Sequence, residues 1–329
     1  MTDYDRAEGR IVTYRPPGSL QTGPSTCHAF CDKHLWVMEP QTLPAVRVFA
    51  PEQWGEVDRF ASFYGGTYKF SDRDRRAVSG VANHFRKAIT LQALAVKLRP
   101  GLDLDHDELN KNGFTPALNS HELSAVIEGS VLELYSSVDC TVKVLRAAYG
   151  AGSRSLPNST RKLFQNIDKV TGTFPEEIKD AFRAAHWYNG LLYWRDELTH
   201  LATGQCWLDQ KTSAVNYMHA GMKLNGGPYI VDDVFARLAD TTEKLNAFIG
   251  LVFHKLNSTL KPTLEQQVCG FVEGRILMRY LDPTEPLSFN SGRCISYQWF
   301  EKPENPTCPF VEHCGAYQRK MPPGMPVTE

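Results

Sequence analysis

The sequence predicts a mainly α protein whose centre, residues 118–262, is an all-helical, up-and-down bundle of about four helices. An α/β-leaning N-terminal segment (1–117) precedes it, and an irregular Cys- and Pro-rich tail (263–329) follows. Three observations predict this. Residues 118–150 carry an apolar residue every three or four positions without interruption. A second helical stretch runs from Pro175 to Gly204, and a third, 232–262, is closed by Pro262. No internal repeat is present.

At 329 residues the chain is long enough for two or three domains. Its composition, 42% hydrophobic and 22% charged, is that of an ordinary globular protein. With 36 basic and 37 acidic side chains the formal charge is −1, which argues against a protein that coats itself with nucleic acid. A local site for a short single strand or a nucleotide stays open. No apolar run is long enough to span a membrane, and the start, MTDYDRAEGR, lacks the apolar stretch of a secretory signal. The expectation is a cytoplasmic protein, with no membrane partner, whose eight cysteines are reduced. Buried thiols or metal ligands are then stronger readings of those cysteines than disulfides.

The N-terminal segment is rich in Pro and Gly until AVRVFA, 45–50, a short strand by composition. Pro51 opens a helical pattern over 51–64, and a second helix is expected over 72–98. The polar stretch 99–116, broken by Gly and Pro, reads as a boundary. It superficially resembles a calcium loop, yet it lacks the required Gly and terminal Glu. The pattern over 118–150 marks a helix of roughly thirty residues, about 45 Å long. Asn119 and Glu122 are placed as a cap-and-return pair at its start, and Gly150 ends it. The helical stretch after Pro175 begins with two acids and weakens at WYNG, 187–190. Residues 204–231 hold too many Gly, Asn and Pro for a helix and suit a short hairpin; the tail opens with a strand-like run, QQVCGFVEGRILMRYL.

The chemistry-bearing stretch is YWRDELTH, 193–200. Asp196 and His200 are four apart and share a helix face, so the carboxylate can orient the imidazole. Arg195 lies about 140° around the axis from His200, within swing of a long side chain. The set offers a titrating acid/base, an orienting carboxylate and a planar cation suited to phosphate. Those parts suit phosphodiester cleavage in RNA, where a base deprotonates the 2′-hydroxyl and a cation holds the developing charge. Taken alone, so short a pattern more often marks a solvated helix face.

With its helix order, a Gly just past the motif and a long last helix, the motif Arg195-Asp196-x3-His200 resembles that of the HEPN superfamily. These are small helical-bundle domains of toxins, antiphage systems and RNA-processing enzymes, with an R-x4-6-H motif and Asn, Asp or His commonly after the Arg. The resemblance covers roughly 118–262. It implies a metal-independent endoribonuclease that leaves a 2′,3′-cyclic phosphate and needs no catalytic cofactor. Two protomers dimerise in that family and share one cleft. The resemblance makes His200 the general acid/base, Arg195 the phosphate stabiliser and Asp196 the orienting residue. It also implies RNA or a nucleotide as ligand, a homodimer, and an antitoxin or defence-system partner. The alternatives are a non-catalytic HEPN-like binding module, antitoxin or nucleotide sensor, and a zinc-stabilised interaction protein.

Two cysteine clusters bear on that last alternative. Cys27, Cys31 and His34 form a C-x3-C-x2-H arrangement, and the tail holds Cys294, Cys308, His313 and Cys314. Thiolates and imidazoles at such spacings on loops are what tetrahedral zinc needs, and a zinc here would be structural. Cys140, Cys206 and Cys269 sit among apolar neighbours and read as core thiols. The scattered His84, His121, His186, His219 and His254 read as packing residues.

Overall fold

The computed structural model of the chain describes residues 55–154, 156–224, 227–272, 274–285, 288 and 290–320, with the backbone of two short paired strands, β1 (Tyr4–Asp5) and β2 (Arg10–Ile11). The predicted strand 45–50 and Pro51 lie outside the described residues, as do Cys27, Cys31 and His34. The described part is mainly α, with small antiparallel sheets.

Helix α1 (Glu56–Phe63) leads to α2 (Asp72–Leu98), the range its apolar spacing predicts. Ser71 caps α2, its hydroxyl accepting from the Asp74 amide at 3.3 Å. The stretch expected to be a boundary is instead a helix, α3 (Gly101–Asn112). Its only buried side chains are Leu102 and Asp105, too few to show a period. Gly113, at φ +72°, supplies the left-handed residue that stops it.

α4 (Leu118–Tyr149) is the central element. The predicted Asn119/Glu122 cap is not what holds its start. Asp105 of α3 reaches across and accepts from the Ser120 amide at 2.8 Å and the Asn119 side-chain amide at 2.7 Å. Long-range packing therefore supplies the partner that helix starts usually find locally. α2 runs antiparallel to α4, with His84 against Glu133 and Gln92 against Ser130. Gly80 lets the pair approach, since a Cβ there would stand 2.8 Å from Cys140 Sγ.

After α4 come a short pair of strands, β3 (Ser153–Arg154) and β4 (Thr171–Gly172), with α5 (Thr160–Gln165) between them. The helical stretch after Pro175 divides into α6 (Glu176–Ala184) and α7 (Tyr188–His200), broken where the sequence weakens. Residues 204–231 form an antiparallel sheet of β5 (Gln205–Leu208), β6 (Val215–Leu224) and β7 (Gly227–Val231), not a lone hairpin. The centre is therefore not all-helical. β5 is tied to α4 where Cys206 N donates to Ser124 Oγ at 2.8 Å and Ser120 Oγ donates to Cys206 O. α8 (Val234–Asn257) follows, capped by Asp233, which accepts from Ala236 N at 3.0 Å.

In the tail, β8 (Glu265–Val272), β9 (Arg275–Leu281) and β10 (Arg293–Cys294) pair in the order β10-β9-β8. Two single-turn helices follow, α9 (Tyr297–Phe300) and α10 (Gly315–Gln318). One hydrophobic core runs from Val57 to Leu281, so α1, α2 and α3 share it with the centre. Phe60 of α1 meets Phe253 of α8 edge-on at 5.5 Å. Among the described residues no helix is long and apolar enough to cross a membrane.

Candidate functional site

α7 carries the RDELTH residues, and its inner face fixes where they point. Tyr188, Leu191 and Trp194 recur at three-residue steps and are buried. The Tyr188 ring stacks on Phe164 of α5 and lies 6.2 Å from Tyr135 of α4. With that face buried, Arg195, Asp196 and His200 lie toward the outside. Arg195 and Asp196 are half-buried, and His200, the last residue of the helix, is exposed.

The Arg195 guanidinium lies 4.8 Å above the Tyr135 ring, a cation–π contact that immobilises a long side chain. Its Nη1 donates to Asp196 Oδ1 at 2.9 Å. The other Asp196 oxygen accepts from Arg161 of α5. Asp196 thus sits between two guanidinium groups. The sequence reading has it orient His200; here it is engaged with Arg195 and Arg161. His200 has no hydrogen-bond partner among the described residues.

A second carboxylate, Asp139 of α4, accepts from Thr160 Oγ1 at 2.5 Å and pairs with Lys143 at 2.7 Å. Burial by itself raises its carboxyl, but the bonds from Lys143 and Thr160, with the nearby Arg195, hold it below the ordinary value. The surface around Arg195 therefore combines Arg161, Lys143 and Arg195 with two carboxylates, and His200 lies one turn beyond. Two guanidinium groups and an ammonium so held can bind phosphate oxygens, and an imidazole at the exposed end of the same helix can exchange a proton with a ligand hydroxyl.

Behind α7 lies a buried polar cluster that the sequence does not announce. Glu128 Oε1 of α4 accepts from Gly204 N at 2.6 Å and Tyr217 Oη at 2.8 Å. Burial pushes its carboxyl above the ordinary value despite those bonds. A side chain at Gly204 would collide with Tyr217, so the Gly past the motif is needed for close packing. His219 is fully buried: its Nδ1 accepts from Met222 N at 3.0 Å, and its Nε2–H donates to Ala202 O at 2.8 Å. Both ring nitrogens are satisfied, so His219 is a structural residue. His84 and His254 pair with Glu133 and Glu56.

Sequence reasoning missed Tyr135 and Arg161. Tyr135 is one aromatic in a long apolar series, and Arg161 lies 35 residues from Asp196.

The predicted tail ligands divide. Cys294, Cys308 and Cys314 are buried and line one cavity, whereas His313 is exposed and does not. Cys269, read from sequence as a core thiol, is the fourth cysteine of that cavity. Among the described residues no group of three or more His, Cys, Asp or Glu is arranged to hold a metal ion as it stands.

No family model, no curated protein and no solved structure matches the chain.

Proposed function

We propose that the protein is a metal-independent endoribonuclease of HEPN type, with its active site on the outer edge of α7. The observation that carries this reading is the fixed Arg195, held over Tyr135 and by Asp196, on the same helix as an exposed, unpartnered His200. His200 takes the proton of a ribose 2′-hydroxyl. The freed oxygen attacks phosphorus, the P–O5′ bond breaks, and a 2′,3′-cyclic phosphate remains. Arg195 and Arg161 meet the charge that develops on the phosphoryl oxygens. Asp196 acts as a positioning residue for both guanidinium groups. The leaving 5′-oxygen needs a proton, which the His200 of a second copy supplies, so the working form is a homodimer whose two α7 edges face one cleft. The bundle around α4, α7 and α8 is then the HEPN-like unit, with α2 packed on it.

The test is digestion of bulk cellular RNA by the full-length protein in EDTA. Wild type is expected to cut and leave cyclic-phosphate ends, and His200→Ala to lose that activity while melting at the same temperature. Cutting by His200→Ala at the wild-type rate would overturn the assignment.

One observation favours a second reading, a non-catalytic phosphate- or nucleotide-binding module. Asp196 engages Arg161 instead of His200, so no carboxylate orients the imidazole. That reading expects no cutting by either protein, and RNA or nucleotide binding that Arg195→Ala abolishes and His200→Ala leaves intact.

A further inference from the structure

A row of cations runs along the seam between α4 and α5, and the contacts that hold it are continuous. Asp196 of α7 accepts from both Arg195 and Arg161 of α5. Thr160, next to Arg161, donates to Asp139 of α4 at 2.5 Å, and Asp139 pairs with Lys143, one turn on, at 2.7 Å. Arg146 follows Lys143 on the same side of α4. It donates to the Asn158 carbonyl at 3.1 Å and to the Asn158 side-chain oxygen at 2.8 Å, just before α5 begins. Arg161 is exposed, and Arg195, Lys143 and Arg146 are half-buried, so all four reach the surface.

The helices give this row a length and a direction. Arg195 lies over Tyr135, so the row extends along α4 from Tyr135 to Arg146, about 17 Å at 1.5 Å per residue. Just past α7, Gly204 N donates to Glu128, near the other end of α4. The residues after Arg195 therefore run away from Arg146. His200 lies beyond Arg195, past the end of the row opposite Arg146.

The charge along this line exceeds what its carboxylates offset. Asp139 and Asp196 are the acids bonded into the row, against four cations, in a chain whose formal charge is −1. Both acids fix cations in place and leave a positive excess concentrated along one seam. Each guanidinium has five N–H donors, so the bonds it makes within the protein leave others for a ligand. A single file of cations matches one phosphodiester backbone, whereas a duplex presents two.

We propose that this row is the track for the RNA strand on one side of the cut, binding the phosphates of about four unpaired nucleotides from Arg195 to Arg146. The inference deepens the nuclease reading and rests on it for the position of the cut. The substrate is then single-stranded RNA that extends a few nucleotides beyond the scissile phosphate and is held there through its backbone.

Binding and cutting are measured separately, so that the track and the nuclease can fail separately. Full-length His200→Ala protein, in EDTA, is titrated with a labelled unpaired RNA longer than the track, over a range of salt concentrations. Adding Lys143→Ala or Arg146→Ala is expected to weaken binding and to flatten the slope of log affinity against log salt by about 0.7 each, the share of one phosphate on a single strand. Lys143→Arg, which keeps the charge, should retain the slope, and Lys244→Ala, in an exposed pair with Asp240 on α8, should change neither quantity. With His200 present, Arg146→Ala should raise KM on long RNA and leave kcat unchanged. Unchanged affinity and slope in Lys143→Ala and Arg146→Ala would overturn the track, as would equally tight binding of a fully paired RNA of the same length. The expected binding pattern without cutting by wild type would keep the track and remove the nuclease; cutting by wild type without that pattern would do the reverse. Lys143→Ala set against Lys143→Arg decides the matter even where an Arg146 variant fails to fold.

Discussion

Arg195 is held by neighbours that cost it freedom. Stacked on Tyr135 and bonded to Asp196, it presents a guanidinium with little rotamer entropy left to lose on meeting phosphate. Under the nuclease reading Arg195→Ala is expected to lower cleavage by about 10²–10³, the usual loss for one oxyanion donor. His200→Ala should lose at least about 10²-fold while leaving stability within about 0.5 kcal/mol, because the side chain is exposed. Both are read from initial rates and thermal melts on the same preparations. Glu128 behaves differently, because its environment and not a ligand sets its state. Its folded pKa lies above the ordinary 4.5, so the stability contributed by its protonated form is complete below that value and lost as pH rises through the folded one. Glu128→Gln keeps an oxygen for Gly204 N and Tyr217 Oη without the buried charge. It should match wild type in acid and exceed it at neutral pH, as denaturant titrations at the two pH values will reveal. Glu128→Ala strands both donors and should cost about 2–3 kcal/mol.

Among the elements, α2 and α4 show how closely two long helices can approach and what that demands. Gly-to-Ala in a helix interior ordinarily stabilises by up to about 1 kcal/mol. At Gly80 the sign should reverse, since the new Cβ meets Cys140 Sγ at 2.8 Å. The expected loss is about 1–3 kcal/mol, relieved when Cys140→Ala is added; a double-mutant cycle from urea unfolding measures the coupling. The start of α4 makes a second case. Asp105→Ala should cost about 1–2 kcal/mol, because it removes the acceptor for the first turn of the central helix. Elements with a dense apolar period, α2, α4 and α8, were legible in the sequence to within a few residues. α3 was not, because only two of its side chains are buried, and neither was the cap, whose partner lies 14 to 15 residues away.

Among the described residues, α1, α2, α3 and the end of β9, through Leu281, close on one core. The tie between α1 and α8 is polar at its centre: Glu56 Oε2 accepts from Arg59 Nη2 and from Asn257 Nδ2, both at 2.6 Å, and Arg59 also donates to Glu285 O beside the tail sheet. Burial lowers the Arg59 pKa while Glu56 opposes that shift, so the buried guanidinium relies on this carboxylate to offset its desolvation. Glu56→Ala leaves a buried guanidinium without its carboxylate and is expected to cost about 3–5 kcal/mol. The loss should appear as a lower melting temperature shared by probes in α1, α8 and β9, not as a local fraying. The proposed homodimer belongs to this scale too: under the nuclease reading, specific RNA-cleaving activity should rise with protein concentration, and sedimentation run over the same range should follow it.

By itself the sequence determined the helical character of the chain, the extent of its long helices and the break between α6 and α7, and it singled out the RDELTH residues as the candidate site. Those depend on periods of three or four residues and on neighbours along one helix, which a linear string carries. Only the tertiary structure decided that Asp196 faces Arg161, that Arg195 lies on Tyr135, that α2 belongs to the central core, and that Cys269 and not His313 joins the other three tail cysteines. Each of these is a contact between segments far apart in the chain. It arises when apolar faces pack and bring their polar residues along, so no local pattern records it.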